Sequence, residues 1–112
     1  DLELALGMPT DQVDQSGVRG VDSNVGGQMK ATTIWEAPNS GATDSGAFKA
    51  LPGGARAFYG QYSNMGYQGC WWTATEQNSS NTWVRILKYD NAGIDRGAYP
   101  KGVGYSIRCV KD

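Results

Sequence analysis

The segments that most constrain this fold are Cys70-Trp-Trp-Thr-Ala-Thr75 and Thr82 to Tyr89, because both alternate with a period of two. In the first, Cys70, Trp72 and Ala74 share one face, and Trp71, Thr73 and Thr75 the other. In the second, Trp83, Arg85, Leu87 and Tyr89 oppose Val84, Ile86 and Lys88. Asp90-Asn-Ala-Gly93 then reads as a hairpin turn. Gly104 to Val110 alternates again, with Tyr105, Ile107 and Cys109 against Ser106, Arg108 and Val110, and reads as a last strand. The second half is therefore expected to be a small twisted antiparallel sheet joined by long glycine-rich loops.

The first half reads differently. Leu2, Ala5 and Leu6 share a helical face, and Gly7 and Pro9 stop the helix. A helix this short is marginal alone and is expected either to continue from something upstream or to pack firmly. Residues 10 to 28 are polar and glycine-rich without a period, and read as a loop with one helical turn. Met29 to Trp35 is a short helix or strand whose Met29 and Trp35 anchor the core. Pro38 to Gly46 is a surface loop by composition. Phe48 to Leu51 reads as extended, Pro52-Gly-Gly54 as a sharp turn, and Arg56 to Tyr59 as extended again. Sixteen glycines against four prolines agree with many turns and little helix. The fold class expected is α+β, one domain over residues 1–112, since this length supports a single core.

Charge excludes several partner classes. Ten basic and eleven acidic residues are mixed along the chain. Without a basic stripe to follow phosphates, a nucleic-acid partner is not expected. No apolar run approaches the 18 or so residues that span a bilayer, so this segment is not expected to insert. The chain begins at Asp1 without a methionine, as a processed or trimmed product would, which leaves secretion open.

Catalysis finds little support. Histidine is absent, which removes the commonest general base and transition-metal ligand. Cys70 and Cys109 cannot hold zinc by themselves. They either form one disulfide, worth roughly 4 kcal/mol on a chain-entropy estimate, or remain buried thiols acting as small apolar residues. An acid–base pair from Glu76 and Asp95 is an alternative, but sequence spacing says nothing about their distance. Asp90 to Asp95 carries part of a calcium-loop pattern without its terminal glutamate, so a hairpin turn is the better reading. No metal and no cofactor is expected.

Leu51-Pro-Gly-Gly-Ala-Arg56, Gly69-Cys-Trp-Trp-Thr-Ala-Thr-Glu76, Trp83-Val-Arg85 and Gly104-Tyr-Ser-Ile-Arg-Cys-Val-Lys-Asp112 form an ordered set. Together with Gly17-Val-Arg-Gly20 and Met29-Lys-Ala-Thr32, this set resembles the Fibrobacter succinogenes major paralogous domain (FISUMP) family. The resemblance covers essentially the whole chain, but the family's Trp-rich N-terminal stretch is missing ahead of Asp1. It implies a C-type-lectin-like fold and an extracellular or cell-surface location in Bacteroidota-type bacteria, with lipoprotein anchoring through a preceding segment. Its motif positions here are Gly53, Gly54, Arg56, Trp71, Trp72, Trp83, Arg85 and Arg108. The three arginines are expected in strands, satisfying loop carbonyls or stacking on Trp71, Trp72 and Trp83. As functional residues they would instead grip an anion. Glu36-Ala-Pro-Asn39 resembles the Glu-Pro-Asn sugar motif of C-type lectins, but an alanine interrupts it and it supplies too few oxygens for calcium.

The segments Tyr59 to Tyr67 and Asn91 to Val103 are rich in Tyr, Asn, Ser and Gly. They are either ordinary solvated loops or an adaptable recognition surface. For the latter the candidates are Tyr59, Tyr62, Asn64, Tyr67, Asn91, Asp95 and Tyr99. The reading this favours is a non-enzymatic surface module binding glycan or protein through its loops. The alternatives are an assembly domain of a larger adhesin, completed by another domain or chain, and a retroelement-diversified receptor. An oxidase of the formylglycine-generating type is disfavoured, since its two cysteines must sit together and exposed.

Overall fold

The computed structural model describes residues 2–57 and 59–109. In chain order the elements are α1 (Leu2–Ala5), β1 (Gly17–Arg19), α2 (Val25–Met29), β2 (Ala55–Arg56), β3 (Tyr62–Ser63), β4 (Gln68–Glu76), β5 (Asn81–Lys88) and β6 (Ile94–Pro100). The main sheet is open and antiparallel, ordered β1-β6-β5-β4, and β2-β3 form a separate small hairpin. The architecture is thus mostly antiparallel β with two short helices.

The period-two segments become β4 and β5 and pair directly, Cys70 opposite Ile86 and Trp71 opposite Arg85. Trp71 joins Leu87, Ile94, Met29 and Trp35 in the larger core, beneath both helices. Cys70 faces the other way, with Val84 and Ile86, under Trp72, Tyr99 and Tyr105. The α1 helix ends as its sequence requires. Met8 N–H donates to the Glu3 carbonyl and Gly7 N–H to that of Leu4, the paired bonds of a glycine-terminated helix.

Three expectations need correction. Residues 10–28 hold more than a loop, for β1 is an edge strand and α2 begins at Val25. The α2 glycines permit a close backbone approach. A Cβ on Gly26 would lie 1.9 Å from the Gly93 carbonyl oxygen, and one on Gly27 2.1 Å from that of Gly41. Residues 91–103 are likewise not one loop, since β6 occupies an interior position between β1 and β5. Gly104 to Cys109, conversely, is not a strand. Gly104 bridges Arg56 in antiparallel fashion while Ser106 bridges Trp71 in parallel, so no single neighbour supports a continuous ladder. Val110, the last residue of that expected strand, lies outside the described residues.

Candidate functional site

The site is built where the end of β5 meets the loop before β4. Asn64 adopts a left-handed conformation (φ 63°) and starts a tight turn. Its carbonyl accepts from the backbone N–H groups of Tyr67 and Gln68. Tyr89 N–H donates to the Tyr67 carbonyl at 2.9 Å, locking the loop to the strand end. The two rings then meet edge to face, 5.1 Å apart at 89°. Asn64, Tyr67, Gln68, Lys88, Tyr89 and Asp90 line an open depression of about 280 Å³.

A buried cation fixes this depression from beneath. Lys30, immediately after α2, is fully enclosed. Its Nζ donates to the carbonyls of Lys88 (2.9 Å) and Asn91 (3.0 Å) and lies 5.5 Å from the centre of the Trp35 ring. Burial brings its pKa down to about 8, with Asp90 pulling the other way. The Asn91 side chain accepts from Gly93 N–H at 2.7 Å and turns the chain into β6. Lys88 faces Asp95 at 3.7 Å.

Of the sequence candidates, Asn64 and Tyr67 line the depression, and Asn91 and Asp95 support its floor and rim. Tyr59 and Tyr62 are exposed. Tyr62 lies under Arg56, 5.8 Å from ring centre to guanidinium, in a second depression of about 260 Å³ shared with Gly53, Gly54 and Tyr105. Tyr99 is not on a loop at all. It stands on β6 against Tyr105 (6.2 Å), and burial raises both phenols, Tyr105 to about 12. Gln68, Lys88, Tyr89 and Asp90 escaped the sequence reading because strand pairing, not local composition, brings them to the loop.

The structural motif residues also sort differently. None of the three expected arginines stacks on a tryptophan. Arg85 is ion-paired to Glu3, Arg56 is the partner of Tyr62, and Arg108, outside any strand, lies 5.2 Å from the Phe48 ring. Trp83 is instead covered by Arg96 at 3.7 Å, and Trp72 packs edge-on against Tyr105 at 4.8 Å. Cys70 and Cys109 are both free thiols, so the disulfide alternative fails. Cys109 is exposed, not buried, because it lies beyond the Trp71–Ser106 bridge that ties the tail to β4. Burial pushes the Cys70 thiol up to about 11. Glu76 pairs with Lys101 at 2.7 Å, and Asp95 sits level with Ile86 at the opposite end of β5. The two carboxylates are therefore not a pair. Asn39 spends its side-chain N–H on the Ala31 carbonyl. Among the described residues no group of three or more His, Cys, Asp or Glu is arranged to hold a metal, and no helix is long and apolar enough to cross a membrane.

These features define a small antiparallel β domain whose polar and aromatic loops are held on a rigid sheet. Residues 1–111 match the model of the Fibrobacter succinogenes major domain (Fib_succ_major), and the chain belongs to that family. No curated protein and no solved structure matches it.

Proposed function

We propose that this domain is a non-enzymatic recognition module of a bacterial surface protein, and that it binds glycan in the Tyr67–Tyr89 depression. The observation that carries this reading is the make-up of that depression. Two tyrosine rings at right angles offer apolar faces to sugar C–H groups, and Asn64, Gln68, Lys88 and Asp90 surround them with donors and acceptors. The Lys30 clamp keeps the platform in one shape before a ligand arrives, which lowers the ordering cost of binding. An antiparallel sheet carrying long loops also suits the C-type-lectin-like grouping of the family. Calcium has no part in this reading, because Asp90 is the single carboxylate in the depression and a calcium ion needs six to eight oxygens.

A glycan array probed with and without EDTA tests the reading. Specific binding that survives EDTA and is lost in Tyr67→Ala supports it. Binding to no glycan by the folded domain overturns it in favour of a protein partner.

A further inference from the structure

On the sheet face beneath α1, Arg19 and Arg85 grip one carboxylate and a third arginine, Arg96, stands beside them. Arg85 and Arg96 stand directly opposite each other across β5 and β6. Gly17 is the partner of Arg96 on β1, and Arg19, two residues on, projects from the same face. Glu3 of α1 reaches down between them. One of its oxygens accepts from Arg19 Nη1 at 2.7 Å and the other from Arg85 Nε.

The donors exceed the acceptors. Arg19 Nη1 also reaches the Val13 carbonyl (3.1 Å), and Arg96 Nη1 the Asp14 carbonyl (2.6 Å). Among the described residues, Arg19 Nε and Nη2, Arg85 Nη1 and Arg96 Nε are buried and have no acceptor. Arg19 is 2% exposed, so solvent does not reach its guanidinium freely. Arg19, buried, and Arg85 and Arg96, both partly exposed, therefore set three positive charges around one negative charge, with the Asp14 carboxylate farther off beside Arg96. Burial and the charges of Arg85 and Arg19 both depress the Arg96 pKa, as a surplus of like charge requires. The unpaired nitrogens of the buried Arg19 guanidinium favour a further acceptor beside them.

Access exists on the same side. Leu2, Glu3, Phe48, Trp71, Arg85 and Arg108 contribute to a groove of about 250 Å³ that reaches Glu3 and Arg85 from outside. We propose that Arg19, Arg85 and Arg96 form, around Glu3, a binding site for one small monovalent anion, either a halide or the carboxylate of an organic acid lying in the groove. Guanidinium forks suit both, and a carboxylate adds two-point geometry. The apolar walls at Leu2, Phe48 and Trp71 would favour an organic acid with an apolar body. This site is independent of the Tyr67–Tyr89 depression.

The test is thermal melting of the chain in sodium isethionate, whose anion is large, with bromide or benzoate substituted at constant ionic strength. A saturable rise in Tm on the order of 5 °C is expected for an anion that fills the site. A rise with bromide identifies an inorganic anion, and a rise with benzoate alone identifies an organic acid in the groove. Either rise must disappear in Arg96→Gln. Equal melting in all three salts overturns the proposal, as does an undiminished response in Arg96→Gln. Should that variant not fold, crystals of the unaltered chain grown with bromide decide the inorganic arm and crystals grown with benzoate the organic one. Bromide anomalous density or benzoate carboxylate density against the Arg19 and Arg85 nitrogens supports the site. Neither density being present overturns it.

Discussion

The ammonium of Lys30 donates to the backbone carbonyl of Lys88, at 2.9 Å and across 58 residues of sequence. This bond ties the chain after α2 to the end of β5 and so couples the first half of the fold to the candidate site. It also has a pH signature. The folded-state pKa near 8 lies below the ordinary 10.5, so between these values the unfolded chain holds a proton that the folded chain has released. Stability must then rise with pH through that window, by on the order of 1 kcal/mol from pH 8 to pH 9. The chain has no histidine to obscure the neutral side of this range. Urea denaturation across pH 7–9 checks the rise, and Lys30→Met should flatten it. At pH 10 that variant should be less stable than the parent by about 2 kcal/mol, because the Lys88 and Asn91 carbonyls lose their donor. A parent profile that falls from pH 8 to 9 would count against the clamp.

Glu3 makes the opposite prediction in acid. Burial raises its pKa, but the hydrogen bonds and charges of Arg19 and Arg85 outweigh burial and hold the carboxyl below its ordinary 4.5. A depressed folded-state value gives stability that is complete above the unfolded value and is lost as pH falls through the folded one. Glu3→Gln leaves both guanidinium groups without their carboxylate and should cost about 3 kcal/mol or more near pH 7. The gap between variant and parent should close in acid, once the pH has fallen through the lowered value and Glu3 itself is protonated. Denaturation midpoints at pH 7 and in acid measure both effects. An unchanged gap at the two pH values would remove Glu3 from the pairing.

Legibility in the sequence followed a physical divide. The β4 and β5 strands were readable because each presents apolar side chains to both of its faces, and Trp71 and Trp72 had to diverge. The β6 strand was not readable, because between its apolar anchors Ile94 and Tyr99 the side chains are held by polar and aromatic neighbours. Asp95 rests on Lys88 and Arg96 on Trp83, while a Cβ at Gly97 would fall 2.6 Å from the Tyr99 ring. Helix α2 was hidden by two glycines, Gly26 letting it approach the β5–β6 turn and Gly27 the Gly41 carbonyl. Gly104 to Cys109 alternates like a strand but meets a different partner at each bridge. Loop composition did point to Asn64 and Tyr67. It could not point to Tyr89, Asp90 or the arginine–Glu3 cluster, whose members meet only through register and helix docking.

The glycan reading separates Tyr67 from the sequence candidate Tyr99. Tyr67→Ala removes half of the edge-to-face pair while Tyr89 keeps its backbone bond to the loop. Affinity should fall at least tenfold, with little change in the denaturation midpoint. Tyr99→Ala should behave in reverse, since Tyr99 packs over the Cys70 cluster and lines no part of the depression. It should lower stability by about 2 kcal/mol and leave affinity within twofold. Titration calorimetry beside urea denaturation separates the two effects. Loss of affinity in Tyr99→Ala alone would move the site to the Tyr99–Tyr105 cluster over Cys70.

The cysteines give a direct check on the placement of β4 and the tail. Cys109 is exposed, whereas Cys70 is 1% exposed at the centre of the smaller core, with its thiol raised to about 11. Thiolate is the reactive form, so Cys70 is protected twice, by enclosure and by protonation. At pH 8 without reductant, the folded chain should react with a maleimide at Cys109 within minutes and remain unlabelled at Cys70. Unfolding in guanidinium should release the second thiol at once. Peptide mapping by mass spectrometry identifies which residue carries the label. Two labels in the folded state would mean that β4 opens far more readily than its packing under Trp72 and Tyr105 allows. No label even in guanidinium would mean that the two sulfurs are bonded to each other and that the tail crosses β4 by another route.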